Sequence, residues 1–132
     1  MGDLTENLSR KECACKCGCG YDRINLGIVH RVQLVRDIVR IGIKINSACR
    51  CQKHNTNEGG KLESLHLPQP DGTTWAIDFG FYDDENSLLE KLCTKLIDNW
   101  SGGFHFYPQR ILPDGTVQPP FCHCDIGRRR RW

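Results

Sequence analysis

The sequence has no apolar run of membrane-spanning length, no dominant charge of one sign and few aromatics. Its 132 residues carry 18 basic and 16 acidic side chains, a net charge of +2. That near balance argues against a nucleic-acid binder. No stretch approaches the roughly 20 apolar residues that cross a bilayer, so no membrane insertion is expected. Residues 1–11 are polar and lack the apolar core of a secretory signal, which predicts synthesis in a cytoplasm without export by that route. No internal repeat or linker divides the chain. Residues 1–132 therefore read as one domain with a modest core, expected to act as a monomer.

Cysteine, by contrast, is abundant, with nine in the chain. An odd number cannot all pair. Without a secretory signal, reduced thiols or metal ligands are favoured over disulfides. Cys13, Cys15, Cys17 and Cys19 alternate, and further pairs stand at Cys49/Cys51 and Cys122/Cys124. Four thiolates drawn from these pairs would make a second, structural zinc site. The alternative is a set of small buried apolar side chains and free thiols. Cys93 reads as core.

The periodicity of the chain predicts two helices and several strands. Ser9-Arg10-Lys11-Glu12 is a capping-box pattern, followed by a Cys- and Gly-rich loop. Over residues 26–41, Ile28, Val29, Val32, Val35 and Val39 recur at helical spacing, and Gly42 is expected to stop that helix. Residues 43–47 alternate as a strand. Residues 52–70 are polar and read as loop, and residues 73–81 as a second strand. Ser87 is expected to cap a helix over residues 88–99. Residues 103–107 and 121–126 read as strands, with a turn at Pro113-Asp114-Gly115 between them. The run of arginines at 128–131 reads as a solvated tail that could aid approach to an anionic polymer. The pattern predicts an α+β fold, a small antiparallel sheet with flanking helices.

Three segments carry chemistry: Ser64-Leu65-His66, Trp75-Ala76-Ile77-Asp78 and Phe121-Cys122-His123-Cys124-Asp125. Two imidazoles and a carboxylate form the three-ligand set of a catalytic zinc, which leaves a fourth position for water. Asp78 stands in an apolar run, where a carboxylate is costly unless paired or bound to metal. In a strand, His123 faces away from both flanking cysteines and shares a face with Asp125. Asp125 then stands where a carboxylate orients a ligating imidazole.

At these residues the chain resembles the zinc D-Ala-D-Ala carboxypeptidase family, which includes phage endolysins that cut peptidoglycan stem peptides. The family pattern is Ser-x-His, a Gly-x-Ala-x-Asp element, and a late strand ending His-x-Asp. The resemblance extends over Ile45-Asn46-Ser47-Ala48-Cys49-Arg50, His54-Asn55, Gly59-Gly60, Gly102-Gly103-Phe104, Tyr107-Pro108 and Arg131-Trp132. It also takes in the start, from Leu8-Ser9-Arg10-Lys11-Glu12-Cys13 into Cys17-Gly18-Cys19-Gly20. It implies a hedgehog/D-Ala-D-Ala-peptidase-like fold and one catalytic Zn2+ on His66, Asp78 and His123. It makes Arg50 the arginine that contacts substrate or transition state, and Ser64 a substrate-binding or His66-orienting serine. Peptidoglycan stem peptides are then the partner, cut as a D-Ala-D-Ala carboxypeptidase or an L-Ala-D-Glu endopeptidase. For a phage lysis enzyme, release to the cell wall would be through a holin.

The chain also departs from the family. His66 and Asp78 are further apart, and Pro68-Gln69-Pro70-Asp71-Gly72 reads as an extra turn that bulges outward. Thr74 replaces the glycine four before Asp78. Pro120 stands where many members carry the acidic general base, and His105 is the candidate substitute, Asp114 a poorer one. Cys122 and Cys124 stand where valines are common, which favours plain packing for that pair. Without a base, the domain would serve as a zinc-containing wall-binding or virion structural module.

Overall fold

In the computed structural model, which describes residues 2–82, 84 and 87–132, Ser9 forms the capping box its sequence predicts. The box opens α1 (Arg10–Cys13): the Ser9 side chain accepts from the Glu12 N–H, and Glu12 returns a bond to the Ser9 N–H. Asn25 caps α2 (Leu26–Val39) by accepting from the Gly27 N–H at 2.8 Å. The apolar stripe of α2 is buried at Ile28, Val29, Val32 and Val35. Arg40, at φ 56°, ends the helix in left-handed conformation, two residues before the expected Gly42.

The remaining elements are β1 (Ile43–Ser47), α3 (Gln52–Asn57), β2 (Ala76–Phe81), α4 (Leu88–Leu96), β3 (Gly103–Tyr107), β4 (Arg110–Ile111), β5 (Val117–Gln118), β6 (Phe121–Asp125) and β7 (Arg130–Arg131). The main sheet has the order β1-β2-β6-β3-β7, and β4 and β5 form a separate hairpin around the expected turn. One face of the sheet carries Ile77, Phe79, Phe104, Cys122 and Cys124 into the core with the buried side of α2 and with Leu89 of α4. Phe79 and Phe104 are almost fully buried, and each contributes about 2 kcal/mol by leaving water. The other face presents one row across four strands. Ser47 pairs with Asp78, Asp78 with His123, and His123 with His105.

The α+β class is as expected, and five details differ. The sheet is mixed rather than wholly antiparallel, because β7 joins β3 in parallel. The arginine run is therefore not a solvated tail. Arg131 donates to the carbonyls of Ile97, Trp100 and Gly102, where cations meet the free carbonyls after a helix end. Residues 52–57 form a helix, α3, which lacks apolar periodicity and so gave no signal; its buried side chain is polar Asn55. Ser87 is left-handed and makes no capping bond. Asp84 instead accepts from the Leu89 N–H at 2.8 Å.

The fifth difference is covalent. Cys93 of α4 and Cys122 of β6, expected as packed thiols, are joined as a disulfide. Helix and strand meet at the core, so two cysteines read as packing residues come within bonding reach. A crosslink closing a loop of this length stabilises by about 3 kcal/mol. Reductant should therefore lower the urea unfolding midpoint of wild type, and Cys93→Ala should abolish that sensitivity. Equal wild-type midpoints with and without reductant would show that the two thiols are unpaired in solution.

Candidate metal centre

His66 is delivered by a loop that is pinned at its backbone. Its carbonyl accepts from the Arg50 N–H at 3.0 Å and from Thr74 Oγ1 at 2.8 Å, and Trp75 N–H bonds the Leu65 carbonyl at 3.0 Å. Thr74, in place of the glycine, is fully buried and thus ties the loop to the strand that follows. Ser64 Oγ accepts from the His66 N–H at 3.2 Å, a local turn bond that orients the histidine backbone. The extra turn closes on itself: Gly72 N–H bonds the Gln69 carbonyl, and Asp71 accepts from the Thr73 N–H and hydroxyl.

The ligand atoms of His66, Asp78 and His123 all lie within 4.8 Å of one another. Asp78 Oδ1 is 3.2 Å from His66 Nε2 and 2.8 Å from His123 Nδ1. The opposite nitrogen of each ring is held separately. His66 Nδ1 meets the Ala48 carbonyl at 2.7 Å, and His123 Nε2 meets Asp125 Oδ2 at 2.8 Å. With its far nitrogen so held, each imidazole turns its near nitrogen to a common point beside Asp78, the arrangement a zinc site needs. The donor set fits zinc: two nitrogens and one oxygen, oriented from behind.

Asp125 is fully buried and fully bonded. Its Oδ1 accepts from the Gly103 and Gly127 N–H groups at 2.7 and 3.0 Å, and its Oδ2 faces His123 and the Arg130 guanidinium at 3.0 Å. A Cβ on Gly103 would lie 2.3 Å from Asp125 Oδ2, so only glycine allows β3 to approach this carboxylate.

Arg50 faces Asp78 Oδ2 at 3.7 Å, and its side chain is 14% exposed, so it is not a surface ion pair. Ser47 Oγ holds its Nε at 3.0 Å, and Asn55 Oδ1 its NH1 at 3.3 Å. His105 stands opposite His123 on β3 and stacks on the Trp132 ring, centroids 5.2 Å apart. Burial moves the His105 pKa downward from its ordinary value, which favours the neutral ring. Asp114 lies at the surface, accepting the Thr116 N–H in the β4–β5 turn. The structure thus gathers His66, Asp78, His123, Asp125 and Arg50 in one bonded group, with His105 beside it and Ser64 behind the loop.

Four supporting groups had no role assigned from the sequence. A main-chain carbonyl, as at Ala48, has no residue preference to read. Asn55, Arg130 and Trp132 act only through tertiary approach. Trp132 contacts the His123 ring edge, centroids 5.3 Å apart.

The protonation balance follows from these contacts. Burial alone raises the Asp78 carboxyl, but the charge of His66 and the bonds from His123 outweigh it and hold Asp78 well below the usual carboxylate range. Burial also raises Asp125, and the His123 bond and the Gly103 N–H turn the net shift downward. Burial lowers His123, yet its bonds to Asp125 and Asp78 push it up to about 9. A raised histidine stabilises fully below its ordinary 6.5, and that stability is lost as pH rises through 9. The depressed carboxylates stabilise above their ordinary 3.8 and lose this as pH falls further. Chelator-treated protein should therefore be most stable between about pH 4 and 6.5 and weaken toward pH 9. A urea midpoint constant from pH 6.5 to 9 would show that His123 is not held as a cation between these carboxylates.

A mixed sheet that seats an aspartate and a histidine on one face, with a second histidine brought to them by a loop, defines an α+β protein with a candidate metal centre. The family model described as Peptidase M15 matches residues 5–107, most of the chain. The chain belongs to this family, a zinc D-Ala-D-Ala carboxypeptidase-type family whose peptidases are zinc-dependent. No curated protein and no solved structure gives a significant match. The matched residues include His66 and Asp78 but end before His123, which only the β2–β6 pairing brings to them.

Proposed function

We propose that residues 1–132 form a zinc peptidase domain that cleaves peptidoglycan stem peptides, with His66, Asp78 and His123 as the metal ligands. The observation that carries this reading is the convergence of the three ligand atoms within 4.8 Å, with both far imidazole nitrogens already held. Zinc bound there would supply Lewis-acid activation of water and of the scissile carbonyl.

The chain's own groups supply the rest. Asp125 and the Ala48 carbonyl keep the two rings oriented. Arg50, braced by Ser47 and Asn55, offers a guanidinium to the developing oxyanion or a substrate carboxylate. His105, favoured neutral, is the proton acceptor. Ser64 acts by orienting His66. A cavity of about 870 Å³ is lined by Lys44, Asn46, Gly80, Phe106 and Pro120. None of the three ligands lines it. Gly80 follows Asp78 by two residues on the same face of β2, which suits an extended peptide passing along this groove. The bond cut is D-Ala-D-Ala or L-Ala-D-Glu, and the setting is phage-type lysis, with the enzyme released to the wall by a holin.

The second reading, a zinc-containing wall-binding or virion structural module, is favoured by one observation. Among the described residues, the carboxylates bonded to the site are Asp78 and Asp125, and both are engaged. No acidic base stands at Pro120.

Mass spectrometry of purified peptidoglycan fragments tests both readings. Wild type should release stem-peptide products and His123→Ala none. His105→Ala should keep its zinc and lose about a hundred- to ten-thousand-fold in kcat. Pro120→Glu should raise activity. A folded, zinc-loaded wild type that cuts no stem peptide supports the module instead. An active protein indifferent to His105→Ala removes His105 as the base.

Zinc must displace the His123 proton, so its affinity should rise from pH 6.5 toward 9, by about tenfold per unit. A competition titration with a chromogenic chelator reads this directly. A flat profile would mean that His123 gives up no proton to the metal.

A further inference from the structure

Of the nine cysteines, four leave the core together. Cys13 and Cys49 point into it and are almost fully buried, and Cys124 is buried on β6. Cys15, Cys17, Cys19 and Cys51 instead bring their four Sγ atoms within 4.8 Å of one another. Cys15 and Cys17 are 3.4 Å apart, Cys17 and Cys51 3.6 Å, and Cys15 and Cys51 3.9 Å. Four sulfurs around a zinc ion at 2.3 Å stand about 3.8 Å apart at tetrahedral angles. The observed separations are of that size and well beyond a disulfide bond of about 2.05 Å.

The surrounding backbone is arranged for charged sulfur. The Cys51 N–H points at Cys15 Sγ and the His54 N–H at Cys51 Sγ, each at 3.4 Å. Such N–H donors stabilise thiolate. The 15–19 segment turns back sharply through two left-handed glycines, Gly18 at φ 82° and Gly20 at φ 89°. It is closed by the Cys15 N–H to Tyr21 carbonyl bond at 2.8 Å. Cys13, at the end of α1, and Cys49 stay in the core cluster and outside this group, and the fourth sulfur comes from a residue distant in sequence.

We propose that Cys15, Cys17, Cys19 and Cys51 bind a second zinc ion as a closed four-thiolate site that is structural, not catalytic. This metal assignment stands independently of the peptidase reading. Its place in the fold says what it holds. Cys51 caps α3 and directly follows Arg50. The same short stretch carries the Ala48 carbonyl on His66 Nδ1. The N-terminal turn and this stretch are otherwise linked through the Cys49 N–H to the Cys13 carbonyl at 3.0 Å. A zinc clamp at Cys51 would fix the stretch at its other end, and with it the position of Arg50 beside Asp78.

Elemental analysis of protein purified under reducing conditions tests this. Wild type should hold two zinc ions per chain, and His123→Ala and Cys17→Ser one each. Cys17 is exposed, so its replacement leaves the core intact. Cobalt substitution should give thiolate-to-cobalt charge-transfer bands in wild type and His123→Ala, and lose or weaken them in Cys17→Ser. In wild type itself, zinc should protect Cys17 and Cys19 from alkylation, and a chelator should expose them. Zinc content unchanged by Cys17→Ser, with alkylation at both cysteines indifferent to chelator, would overturn the site. So would peptide mapping that finds these cysteines disulfide-bonded in the freshly reduced, zinc-supplied protein. Loss of the histidine-site zinc alone would sink the peptidase reading and leave this one standing.

Discussion

The fold depends on a carboxylate buried where a carboxylate is expensive. Asp78 lies in a strand whose six residues are all buried, and an uncompensated charge there would cost several kcal/mol. Two imidazoles and a guanidinium converge on it, and each is itself held in place. Asp125 stands behind His123, the Ala48 carbonyl behind His66, and Ser47 with Asn55 behind Arg50. Partners and supports come from two loops, two strands and a short helix. Compensating one charge therefore organises most of the sheet's polar face.

The same logic explains the C-terminal segment. Asp125 must be satisfied because it is fully buried, and it draws the Gly103 and Gly127 N–H groups and Arg130. Arg131 in turn covers the carbonyls after α4. β7 thus adds to the sheet edge through polar bonds rather than apolar burial. Trp132, brought along with it, packs over His105 and against His123. A segment that looks solvated by composition is part of the wall of the site.

The two cysteine outcomes have a common cause. Residues two apart in a strand point to the same face, so each Cys-x-Cys pair in a strand acts on one face only. In β6 that face is the core, where Cys122 meets Cys93. In the 15–19 segment the backbone turns, and three sulfurs gather instead beside Cys51.

The sequence by itself determined the helix α2, the main strands and the residue types that gather at His66, Asp78 and His123, because hydrophobic period and residue chemistry are local properties. It also indicated Asp125 as the partner of His123, since two residues along a strand share a face. It could not tell that α3 forms, because a short polar helix has no apolar stripe, nor that Asp84 rather than Ser87 bonds the start of α4. It could not choose among the cysteines, or separate a packed thiol from a paired one. Tertiary structure alone decided that Asp78 and His123 stand opposite each other, that Ala48 offers its carbonyl to His66, and that Trp132 returns to His105. These contacts join residues far apart in sequence, and strand register and chain reversal, which set them, are properties of the whole sheet.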